Sequence, residues 1–211
     1  MRPCPLVRLL HGHTIDLALD TKLDDTNIFY MGHSLGGLMG SGFVPIEPDL
    51  KAALLNATGG GLTSQLFLNS SIGAGAMGQV EGILGLDPAN VFDQFSFAAN
   101  FTQAIVDPAD GLNSAPLLLD PAAGTPRNVI QVEDFGDQVV PNPANEALAV
   151  ASNLPIFDPF VRNLHQSPIA LPIANFATPG TLHANAAGGT ATAALLQNGP
   201  ATHAEIGRAH V

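Results

Sequence analysis

The sequence has no tryptophan, one tyrosine, one cysteine and only seven lysines and arginines. A lone Cys4 cannot close an intramolecular disulfide, and it leaves neither a C-x-x-C pair nor a zinc-binding pattern. Eighteen acidic residues outweigh the basic ones to give a net charge of −11. That balance argues against a nucleic-acid partner and against attraction to anionic membrane surfaces. A solvated acidic surface is the reading it leaves. Long hydrophobic runs are missing as well, so no segment reads as transmembrane. The opening MRPCPLVRLLHGH has too short an apolar core for a signal peptide. No repeat recurs at a solenoid period. Charged residues make up just 12% of the chain, yet 46% is apolar, so scarcity of charge does not mean disorder here. With 22 glycines and 17 prolines, the composition fits long ordered loops over a hydrophobic sheet, and 211 residues suit one domain with a sizeable core.

Residues 27–40 read NIFYMGHSLGGLMG. Asn27 to Met31 is short, aromatic and β-branched, and apolar on both faces, as a buried parallel strand is. After Gly32, Leu35, Leu38, Met39 and Phe43 recur at helical spacing until Pro45 stops the run. Ser34 therefore falls in a one-residue turn between strand and helix. Gly32 and Gly36 are expected where a Cβ would clash, and the Leu35 N–H at the helix start is a candidate oxyanion donor. This arrangement resembles the G-x-S-x-G nucleophile elbow of the α/β-hydrolase superfamily, in the form GHSLGG. A tight turn with an idle serine is the bland alternative. His33, adjacent to Ser34, reads as a packing and loop-orienting residue.

Further along, Lys51 to Asn56 (KAALLN) reads as the next buried strand, and Leu62 to Ser70 as a short helix after the loop ATGGG. Residues 71–126 lie where hydrolases insert a cap or lid. Within them Phe92, Phe95, Phe97 and Phe101 read as core, with an acyl-binding wall as the alternative. Residues 128–143, NVIQVEDFGDQVVPNP, give a strand over Asn128–Val132, a turn with Glu133, Asp134 and Asp137, and a helix over Ala144–Ala151 opened by Pro141-Asn142-Pro143. GDQVVP resembles the sequence around the triad acid of many hydrolases, which makes Asp137 the candidate, with Asp134 and Glu133 in reserve. Acidic turn capping would explain the same residues. Chain order in that superfamily puts the histidine last. His203, after the apolar AALLQ segment and a Gly-Pro turn, is preferred to His183, which stands in a small-residue loop, and to His165 and His210.

Together, TNIFYMGHSLGG, KAALLNATGGGL and VIQVEDFGDQVVPN resemble bacterial secreted or surface lipases and esterases. The resemblance covers roughly residues 5–205. It implies a mostly parallel sheet with flanking helices, a small-molecule or lipid ester substrate, and no cofactor or metal. It also implies a Ser34–His203–Asp137 triad that cleaves carboxylic esters through an acyl-enzyme. A binding domain of the same fold, or a thioesterase, haloperoxidase or peptidase, would share these residues. Two expectations concern the ends. The stretch before Ser34 holds one helix (about Leu6 to Leu19) and one strand, fewer than the superfamily places there. His11-Gly12 lies too close to Ser34 to be its oxyanion loop. The last six residues, IGRAHV, match the translation of a common sequencing adapter, so residues 206–211 are expected to be foreign to a domain spanning 1–205. Without the upstream strands and the second oxyanion donor, the chain as written is expected to turn over weakly. Oligomeric state is not legible.

Overall fold

A computed structural model describes residues 4–13, 22–86, 93–121, 125–157, 160–162, 164 and 182–204. Helix α1 (Pro5–His11) opens on its proline and closes at Gly12. The remainder of the helix expected to run to Leu19 lies largely outside the described residues. Among the described residues four strands follow: β1 (Ile28–His33), β2 (Leu50–Asn56), β3 (Asn128–Asp134) and β4 (Ala193–Asn198). They pair in the order β1-β2-β3-β4, all parallel, with Tyr30 beside Ala53, Ala53 beside Val129 and Val129 beside Ala193. The class is α/β, a parallel sheet with flanking helices, as the alternation of apolar strands and helical segments suggests.

Helix α2 (Leu35–Phe43) leaves β1 after Ser34 and returns the chain to β2. Its inner side is glycine because the sheet comes close: a Cβ on Gly40 would sit 2.4 Å from the Tyr30 ring and 2.7 Å from Leu55. The long crossover from β2 to β3 carries a π-helical turn at Leu62–Leu66 and a 3₁₀ turn at Phe67–Asn69, where one short helix was expected. It continues through α3 (Gly73–Leu84), α4 (Phe97–Val106) and α5 (Gly111–Ser114). Asp110, almost fully buried, ties this crossover to the glycine loop after β2. Its carboxylate accepts from the backbone N–H groups of Gly61, Leu62 and Leu112 and from Gln103 Nε2, at 2.7–3.0 Å. Beyond it, Ala115 and Leu118 pack with Val44, Leu50, Ala53, Leu55 and Leu148.

Helix α6 (Asn142–Ala151) follows β3 and joins two parts of the core. Leu148 faces the cluster just named, whereas Ala149 packs with Val129, Leu154, Ile156, Ala193 and Leu195. Among the described residues β1 has the apolar faces of a central strand but no strand paired on its outer side. It is an edge strand: Ile28 and Tyr30 turn toward the core, but Phe29 and Met31 on the other face are 66% and 62% exposed. The phenylalanines of the crossover correct the core reading. Phe95, Phe97 and Phe101 are exposed rather than core, and the Phe97 and Phe101 rings stack on each other 5.9 Å apart. α4 buries Ala98 and Ala99 instead, so its small residues face inward and its large ones outward. Phe92 lies outside the described residues.

Candidate active site

A parallel sheet gathers the C-terminal ends of its strands along one edge, so the loops that follow them share a common space. Ser34 follows β1, Asp137 lies beyond β3 and His203 beyond β4. Ser34 adopts φ 55°, ψ −120°, a left-handed conformation that a non-glycine residue holds only when its surroundings enforce it. The enforcement is visible. Ser34 N–H donates to the Asn56 carbonyl of the neighbouring strand at 3.1 Å, and the Ser34 carbonyl accepts from Leu38 N–H at 2.9 Å. Strand and helix meet so closely at Gly32 that a Cβ there would lie 2.4 Å from the Gly36 carbonyl oxygen. Gly36 differs from expectation, since a Cβ on it meets nothing within 4 Å. The second close approach belongs to Gly37, 2.8 Å from the Asn56 carbonyl oxygen.

Asp137 is buried in the turn after β3. Its Oδ1 accepts from Val139 N–H (2.7 Å) and Val140 N–H (3.0 Å), which fixes the carboxylate and leaves Oδ2 to face His203 Nδ1 at 2.7 Å. The other ring nitrogen, Nε2, lies 2.8 Å from Ser34 Oγ. Two backbone bonds hold the histidine loop against the acid turn: Phe135 N–H to the Asn198 carbonyl, and Ala201 N–H to the Phe135 carbonyl. Residues far apart in sequence thus form one chain of hydrogen bonds, carboxylate to imidazole to hydroxyl. Leu35 is the first residue of α2, so its N–H has no carbonyl four residues back to bond.

The other candidates stand elsewhere. Asp134 is buried at the end of β3 and accepts from Asn198 Nδ2 at 2.7 Å. Glu133 is fully buried between Asn142 Nδ2 and Gln197 Nε2, and burial, reinforced by nearby Glu146, pushes its carboxyl up to about 8. Both carboxylates hold the loops around Asp137 rather than meeting an imidazole. His183 is exposed and outside the hydrogen-bonded chain. His11 bridges Asp25 and Asp49 at the surface, and those two carboxylates raise its pKa. His165 and His210 lie outside the described residues. The strand pattern gave no role to Asn56, whose carbonyl holds Ser34. An asparagine closing the apolar run KAALLN was the available signal.

Among the described residues no group of three or more His, Cys, Asp or Glu is placed to hold a metal ion. No helix among them is long and apolar enough to cross a membrane. What the arrangement can do is move a proton: a hydroxyl in reach of an imidazole, itself held by a buried carboxylate, loses its proton as it attacks an electrophile.

No protein-family model matches the sequence, and no curated protein does. Similar solved structures include an acylaminoacyl peptidase of Pyrococcus horikoshii (14% identity, TM-score 0.48), covering 93% of this chain and 23% of that one. Acetyl xylan esterase 1 of a Thermoanaerobacterium species shares 13% identity at TM-score 0.45, covering 92% of this chain and 46% of its own. A Pseudomonas aeruginosa hydrolase shares 16% at TM-score 0.29, covering 71% and 61%. The chain spans less than two thirds of each. At this distance the likenesses carry no conclusion about chemistry, and the geometry has to supply it.

Proposed function

We propose that this chain is a serine hydrolase of the α/β-hydrolase superfamily, acting on carboxylic esters of small molecules or lipids. One observation carries the reading: the unbroken run of hydrogen bonds from buried Asp137 through His203 to Ser34, on a turn held at positive φ. In the first step Ser34 Oγ bonds to the ester carbonyl carbon while its proton passes to His203 Nε2. The carbonyl oxygen becomes an oxyanion, with the Leu35 N–H at the start of α2 as donor. The tetrahedral adduct collapses, and the departing alcohol takes the proton from His203. Water then attacks the acyl carbon and gives a proton to His203. Collapse releases the acid and returns that proton to Ser34. Asp137 keeps the imidazole in the tautomer with its proton on Nδ1 and supports the charge that forms.

Preference for an ester over a thioester or peptide rests on the lipase- and esterase-like sequence around Ser34, Asn56 and Asp137. The test is a fluorophosphonate probe, which reports an activated serine even when turnover is slow, together with p-nitrophenyl, thioester and peptide substrates. Labelling of Ser34 that vanishes in Ser34→Ala, with the p-nitrophenyl ester as the best substrate, is the expected result. A folded chain that resists the probe, or labels equally after Ser34→Ala, would sink the reading.

A further inference from the structure

We propose that His33, locked by Asn56, is a positioning residue for His203, an inference that rests on the hydrolase reading above. His203 lies on the loop after β4 with its side chain 24% exposed. Its hydrogen bonds to Asp137 and Ser34 both lie at the ring edge. The covalent link at Cγ and these two edge contacts set where the ring lies, and a group packed against the ring narrows the tilting that remains. His33 is such a group: its ring centroid stands 5.1 Å from that of His203, at an interplanar angle of 37°.

His33 is itself held from two sides. It closes β1 in register with Asn56 on β2, and Asn56 Nδ2 donates to His33 Nδ1 at 3.0 Å. Asn56 is 1% exposed and also accepts the Ser34 N–H through its carbonyl. One buried residue therefore fixes both the backbone of the nucleophile and the ring beside the base. A donor aimed at Nδ1 requires a lone pair there, which puts the His33 proton on Nε2. A neutral aromatic face then lies beside the imidazole that gains positive charge when Ser34 loses its proton.

The experiment uses the whole chain with His33→Ala, His33→Phe and Asn56→Leu, the last removing the donor while keeping a side chain of similar shape. Fluorophosphonate labelling is resolved into a binding constant and a rate of inactivation, and proton NMR follows the His203 Nδ1–H shared with Asp137. His33→Ala should slow inactivation by on the order of 100-fold, leave probe binding within about twofold, and broaden the His203 signal. His33→Phe should restore most of the rate, because it retains a ring on that face. Asn56→Leu should slow inactivation about tenfold through the same loss of orientation, and it serves if His33→Ala does not fold. Parent-like rates in the folded His33→Ala or Asn56→Leu variant would overturn the proposal, as would a folded Phe variant as slow as Ala. If the parent itself does not label, the hydrolase reading fails. The NMR signal then decides separately, and one equally sharp in His33→Ala overturns the positioning role.

Discussion

Replacing Gly32 by alanine should damage the elbow, whereas the same change at Gly36 should strengthen its helix. A Cβ at Gly32 would stand 2.4 Å from Gly36 O, 2.6 Å from Gly36 C and 2.8 Å from the Tyr30 ring. The first two are backbone atoms, and Cβ contacts under 3.0 Å are essentially never seen, so strand and helix must separate by at least 0.6 Å. The Gly36 carbonyl cannot yield freely, because it accepts the Tyr30 hydroxyl at 2.6 Å. Gly32 is not among the positive-φ residues, so the penalty is steric rather than torsional. Overpacking of this kind costs about 1–3 kcal/mol. A displacement of that size also carries Ser34 Oγ out of its 2.8 Å contact with His203, and misplacement of reacting groups by about 1 Å lowers rates on the order of 100-fold. Gly36→Ala finds open space in the first turn of α2 and should gain about 0.5–1 kcal/mol with labelling unchanged. Urea unfolding and fluorophosphonate labelling of both variants make the comparison. A Gly32→Ala protein as stable and reactive as the parent would refute the steric reasoning, as would equal damage at Gly36.

Three more outcomes can be checked. Asp137→Asn should slow labelling by about four orders of magnitude with little change in melting temperature, because an amide N–H facing His203 Nδ1 forces the wrong tautomer. Asp134→Asn should instead lower stability and spare the rate, and the reverse pattern would exchange their roles. Burial raises the Glu133 carboxyl from an ordinary 4.5 to about 8, so it holds its proton more tightly folded than unfolded. Its contribution to stability is therefore complete below about pH 4.5 and declines as pH rises toward 8, by up to about 1.4 kcal/mol per pH unit. Melting from pH 5 to 9 should show that decline and Glu133→Gln should flatten it; parallel curves would remove Glu133 as the cause. Phe29→Lys with Met31→Lys should reduce self-association in light scattering and leave labelling intact, since both side chains are exposed on an edge strand.

Three of the four described strands were legible because each is a short apolar run closed by a turn, whereas the AALLQ segment of β4 read as strand or helix. Ile28–His33, Leu50–Asn56 and Asn128–Asp134 lie within two residues of the ends read from the sequence. Layering was less so. An apolar run such as Asn27–Met31 cannot distinguish a central strand from an edge strand, because both carry hydrophobic residues and only the neighbours differ. α4 shows the same limit. Phenylalanines at helical spacing imply an apolar face, but Ala98 and Ala99 win the inward positions, where the π-helical turn at Leu62–Leu66 leaves room for small residues near it.

Within the candidate site, what could be read depended on how local the determinant was. Ser34 is defined by its immediate neighbours, so the elbow was evident from six residues. Asp137 needed a strand end and a turn, and the choice against Asp134 rested on sequence resemblance. The structure adds the physical difference: Asp134 is still within β3 and meets Asn198 on the adjacent strand, whereas Asp137 has passed Gly136, at φ +96°, and turned toward the strand ends. His203 was the hardest, because nothing in GPATHA specifies a partner. What fixes it is the pair of backbone bonds from Phe135 to Asn198 and from Ala201 to Phe135, which exist only once β3 and β4 are paired. Asn56 escaped for the same reason, and His33, read only as a packing and loop-orienting residue, had no partner assigned to it. Each is unremarkable in its own segment, and their relation follows from a parallel register that sets position 33 beside position 56. Side chains that orient others are therefore better sought across adjacent strand ends than along the sequence around the nucleophile.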